Sequence, residues 1–135
     1  DQVIARISPN VSVHAMEPDL DALGIFLGSL AGLRDMVADD VLVLPGHGLP
    51  FCGLHQRIAE LIEHHAQRCD IIAAAVQQQP LSVAELVPHV FHRALDEHQT
   101  GFAFGEVLAH VNHMLGQGRL SLDIATDGIE RYRST

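Results

Sequence analysis

At 135 residues with 47% hydrophobic side chains, the chain is long enough for one compact domain or two small units, and too apolar to be disordered. Its net charge is −9 and its eight basic residues include no Lys, which speaks against a broad surface for a polyanion. No apolar run approaches the roughly 20 residues that span a bilayer and no signal peptide opens the chain, so the reading is a cytoplasmic protein with no membrane partner. Cys52 and Cys69 are too few for a disulfide framework; their apolar surroundings predict buried free thiols in a reducing compartment. The start at Asp1, without Met, is expected of a piece of a longer protein.

Residues 1–13 look extended, with Val3, Ile4, Ile7, Val11 and Val13 spread around the Ser8-Pro9-Asn10 turn. Pro18 suits the first turn of a helix that runs to about Asp35, with Asp19 and Asp21 at its positive end. Leu23, Phe26, Leu27, Leu30 and Leu33 share one face of it, and Gly24, Gly28 and Gly32 would let another element come close. Val41 to Leu44 reads as a buried strand, ended by the tight loop Pro45-Gly46-His47-Gly48-Leu49-Pro50.

A long helix is predicted from Leu54 to about Gln78, roughly 37 Å at 1.5 Å per residue, with Leu54, Ile58, Leu61, Ile62, His65, Cys69, Ile72 and Val76 on its apolar face. Gln77-Gln78-Gln79-Pro80 ends it. Ser82 and Glu85 form a capping-box signature for the next helix. A further helix over 103–116 carries Phe104, Leu108, Val111 and Leu115, and Gly116 and Gly118 stop it. Leu120, Leu122 and Ile124 alternate with polar residues, and Asp127-Gly128 turns the chain back into a second strand. The outline of a long helix, two shorter helices and a hairpin is that of a winged helix.

His47 is the first candidate for chemistry. It follows an apolar run and is flanked by glycines, which leave an imidazole open to a metal or substrate; a histidine in an ordinary Gly/Pro turn has the same local sequence. Leu44-Pro45-Gly46-His47-Gly48 resembles the last metal-ligand motif of the metallo-β-lactamase superfamily. Asp1-Gln2-Val3 with Arg6-Ile7-Ser8-Pro9-Asn10 resembles the stretch that carries its bridging Asp. The remaining residues resemble the extension of a subgroup that includes the β-lactamase-like 2 proteins. The resemblance implies the last part of the αββα fold (extended segment, helix, strand) over 1–50, and a mostly helical, winged-helix-like domain over 51–135. It implies Asp1 and His47 as metal ligands in a zinc centre of two ions.

The family's His-x-His-x-Asp-His motif is absent, and His64-His65 or His89 and His92 do not replace it. This chain alone is therefore expected to be inactive and to hold no zinc pair, because a four-coordinate zinc takes about three protein ligands and a water. In the intact protein the resemblance implies hydrolysis of a small-molecule thioester, lactone, β-lactam or phosphodiester by a metal-activated water. The family's helix pattern implies that His64 and Arg68, four apart, face the mouth of the site, where Arg68 could hold an anionic part of the substrate; a solvated polar face is the plainer reading. His65, on the apolar side, reads as a core histidine.

Two rival functions remain open at this level. A DNA-binding winged helix is opposed by charge: residues 80–135 hold four Arg against seven acids, and the candidate recognition helix has neither Lys nor Arg. A structural module is the other, covering the missing N-terminal part of its own chain or pairing subunits as a homodimer.

Overall fold

The computed structural model describes residues 1–124 and 126–135. Its elements follow in the order α1 (Ala22–Met36), α2 (Leu54–Ala75), α3 (Val83–Val90), α4 (Glu97–Gly116), β1 (Leu120–Ile124) and β2 (Glu130–Ser134). Together they make a small α-rich domain with a two-stranded antiparallel sheet.

Helix α1 starts later than Pro18 suggested. The Asp21 carboxylate accepts the Gly24 N–H at 2.7 Å and so sets the N-cap, which leaves Pro18 and Asp19 in the preceding turn. Leu23, Phe26 and Leu30 are its buried face. The glycine spacing does not bring another element in: a Cβ at Gly28 or Gly32 would meet open space, and one at Gly24 would run first into the Asp21 cap.

The expected strand over 41–44 is not formed. Only Val43 pairs, with Phe51, through two backbone hydrogen bonds of 2.8 and 3.2 Å. Leu42 and Leu44 are exposed, at 61% and 74%. A strand needs a continuous ladder, and among the described residues only Phe51, across the loop, offers one rung. Residues 1–13 likewise join no ladder, although Val3, Ile4, Val11 and Val13 are buried. The first 50 residues are therefore one helix, coil and a bridge, with no strand of the expected α/β pattern.

Helix α2 buries Leu54, Ile58, Leu61, His65, Cys69 and Ile72, a helical repeat that makes it the central support of the domain. Cys69 is buried as expected, but Cys52 is exposed. Helix α3 has its full capping box between Ser82 and Glu85. A second box, Asp96 with Gln99, starts α4 at Glu97 and makes it 20 residues long, so it begins well before 103. Its buried face is Ala103, Val107, His110, Val111 and Met114. Phe104 is instead 42% exposed, while the small residues Ala103, Gly105 and Ala109 are buried.

The hairpin pairs Leu120 with Ser134 and Ile124 with Glu130, and a bridge from Leu81 to Tyr132 ties the start of α3 to β2. One hydrophobic cluster runs from Val3 and Val11 through Leu23, Leu61 and Val107 to Tyr132. Among the described residues its buried polar members are His65 and His110.

Candidate metal-ligand pair and the hollow beside it

The two residues singled out as ligands, 46 positions apart, meet. His47 Nδ1 lies 2.6 Å from Asp1 Oδ2, and both side chains are reachable from solvent. Gly46 makes room for this contact: a Cβ there would sit 2.5 Å from Asp1 Oδ1. Gly48 follows at φ 87°, a left-handed turn that a side chain would strain.

The pair opens on a hollow of about 1300 Å³ between residues 1–10, α2 and the start of α4. Its wall includes Arg6, Ser8, Arg57, His64, Arg68 and Phe102. The segment bearing Asp1 is pinned to α2. Arg57 donates from Nε to the Ile4 carbonyl at 2.7 Å and from Nη2 to the Ile7 carbonyl at 3.1 Å. A third Arg57 nitrogen meets Glu60 at 3.0 Å and, with the Gln56 amide, holds that carboxyl below its ordinary range.

His64 and Arg68 both line the hollow, but Arg68 is already engaged. Its Nη1 is 2.5 Å from Glu106 Oε1, and its guanidinium lies over the Phe91 ring, 4.7 Å from the centroid. Burial raises the Glu106 carboxyl despite the pull of Arg68. His64 has a buried Nε2 without a hydrogen-bond partner, and burial, then Arg68 and Arg57, lower its pKa. His65 is a core residue as expected, yet it is connected: Nδ1 faces His110 Nε2 at 3.0 Å and Nε2 faces Ser8 Oγ at 3.1 Å.

A metal asks for more donors than these. Asp1 and His47 have the right chemistry and converge, but no group of three potential ligands occurs among the described residues. Asp1 and His47 are two converging donors, short of the roughly three protein ligands a zinc site takes.

Residues 69–135 match the family model for the metallo-beta-lactamase-like C-terminal domain. The crystal structure of a beta-lactamase domain protein from Burkholderia ambifaria is 44% identical, with a TM-score of 0.95 over 100% of this chain. The chain belongs to the metallo-β-lactamase-like proteins. A metallo-beta-lactamase family protein from Thermus thermophilus is 30% identical, with a TM-score of 0.81, again over the whole chain. This chain spans 40% of the length of each of those two proteins. No curated protein matches.

Within this metallo-β-lactamase-like segment, the histidines sort themselves by surroundings. His89 and His92 are exposed, and no zinc-like grouping forms around them among the described residues. His113 lies 3.1 Å from Asp21 and joins α4 to the cap of α1. Arg57, Ser8 and His110 were missed as contributors. Arg57 shares the stripe 57–61–64–68 with the two α2 candidates, a periodicity that could have flagged it. Nothing in the sequence pairs His65 with His110, 45 positions on.

Proposed function

We propose that this chain is the closing part of a metal-dependent hydrolase in which Asp1 and His47 are two of the metal ligands, with zinc as the metal. The observation that carries this reading is the convergence of Asp1 and His47 at the mouth of a hollow. Held there with the remaining ligands, zinc would supply a water of lowered pKa for hydrolysis of a small-molecule thioester, lactone, β-lactam or phosphodiester. The remaining ligands come from the rest of the protein, so the 135 residues alone are inactive and the enzyme works in the cytoplasm. His64 faces substrate from α2, and Arg68 contributes mainly by holding Glu106 and the wall between α2 and α4.

Residues 51–135 are a winged-helix-like cover for that hollow. The order α2, Leu81 bridge, α3, α4 and hairpin supports this, and α4 uses its faces inside the domain rather than for a nucleic acid. The test is made on the full-length protein. Asp1→Asn and His47→Ala are expected to lower zinc content and to reduce hydrolysis of a chromogenic thioester or phosphodiester at least about 100-fold, while circular dichroism stays unchanged. His92→Ala is expected to behave like the parent. Full zinc and normal rates in the His47 variant would remove the proposal.

A further inference from the structure

Two buried histidines in an apolar core need a reason, because each carries polar nitrogens that must be satisfied away from water. His110 Nδ1 lies 2.7 Å from the Glu106 carbonyl oxygen, which can only accept, so the proton of neutral His110 is on Nδ1 and its Nε2 is bare. His65 Nδ1, 3.0 Å from that bare nitrogen, must then carry the His65 proton. His65 Nε2 is left as an acceptor; the one proton of the Ser8 hydroxyl, 3.1 Å away, is shared between it and the Pro9 carbonyl oxygen at 3.0 Å. One backbone carbonyl in α4 thereby fixes a line of proton positions that ends on the segment bearing Asp1. Burial holds His65 down to about 3 and His110 to about 4, so both stay neutral and the line keeps its direction at neutral pH.

Arg57 grips the same segment at the Ile4 and Ile7 carbonyls, so α2 holds it at three points between residues 4 and 8. On the far side, the Val13 N–H is fixed on the Gly105 carbonyl at 3.1 Å. From the proposed function it follows that where this segment lies decides where Asp1 stands relative to His47.

We propose that His65, oriented by His110, is a positioning residue: through Ser8, and together with Arg57, it sets the segment that presents Asp1 to His47. His65 touches no reacting atom. It acts by distance, and its loss loosens the ligand pair without opening the core.

The test compares His65→Leu, which keeps the volume but removes both hydrogen bonds, with His65→Gln, which keeps a donor and an acceptor. In the 135-residue chain, ¹⁵N spectra are expected to find the proton of both His65 and His110 on Nδ1. Amide exchange over residues 3–13 is expected to quicken about tenfold or more in His65→Leu and to return toward the parent in His65→Gln. In the full-length protein, His65→Leu is expected to weaken zinc binding and lower kcat by roughly tenfold, with the glutamine variant rescuing most of both. An Nε2-protonated His65, or exchange unchanged in His65→Leu, overturns the positioning role. So does a His65→Leu enzyme with parental zinc affinity and kcat where His47→Ala has lost both. If His47→Ala is itself silent, the ligand assignment fails instead, and the spectra and exchange rates alone decide the relay. Should His65→Leu not fold, Ser8→Ala, which removes the last link from outside the core, is expected to give the same quickened exchange, and unchanged exchange there overturns the role.

Discussion

The buried pair His65 and His110 gives the protein a dependence on pH. Unfolded, both titrate near 6.5; folded, burial pushes them to about 3 and about 4. Above pH 6.5 both states are neutral at these positions and stability is full. As pH falls below 6.5 the unfolded chain takes up protons that the folded chain refuses, so stability declines until the folded values are reached. The slope approaches about 1.4 kcal/mol per pH unit for each histidine. Urea unfolding at pH 7.5, 6.0 and 5.0 is expected to follow this decline, and His92→Ala is expected to leave it unchanged. A flat profile over that window would show that the pair does not stay neutral. At this scale His47 was legible in the sequence because glycines and prolines mark its loop. The His65–His110 contact was not, because each histidine obeys the pattern of its own helix and the bond between them belongs to neither.

Among the elements, α4 and the segment before α1 depend on each other. Gly105 sits where a Cβ would lie 3.0 Å from the Val13 carbonyl oxygen and 3.1 Å from Ser12 Cβ. Asn112 donates to the Pro18 and Leu20 carbonyls at 2.8 and 3.1 Å, and His113 meets Asp21. Gly105→Ala therefore asks Ser12 and Val13 to give by a few tenths of an ångström, against the gain in helix propensity that alanine brings. The expected result is a loss of about 1–3 kcal/mol in chemical denaturation, the usual size of an overpacking cost. Gly101→Ala, on the same helix with nothing near its Cβ position, is expected to be neutral or stabilising by up to about 1 kcal/mol. Equal effects at the two sites would mean that the contact with Val13 carries no strain. Helix lengths were readable to within about a turn for α1 and α2, since a regular apolar spacing runs through each. The start of α4 and its buried face were misjudged because Asp96 and Gln99 are a local signal weaker than the phenylalanines, whose placement depends on neighbours.

For the whole molecule, charge and packing point the same way on nucleic acid. The chain carries −9, and α4 packs its buried face against α1, α2 and α3 and reaches the segment before α1 through Asn112. No detectable complex with a 20-base-pair duplex at 50 mM salt is expected; micromolar binding would overturn that expectation. Among the described residues no helix is long and apolar enough to cross a membrane. The sequence by itself determined the family resemblance, the ligand candidates Asp1 and His47, and the succession of helices and hairpin, because each rests on short-range spacing. Only the tertiary structure decided that residues 41–44 form one rung instead of a strand, that Arg68 is held by Glu106, and that two core histidines reach Ser8. Those outcomes depend on which distant groups compete for the same hydrogen bonds and the same space, and no local pattern of residues records that competition.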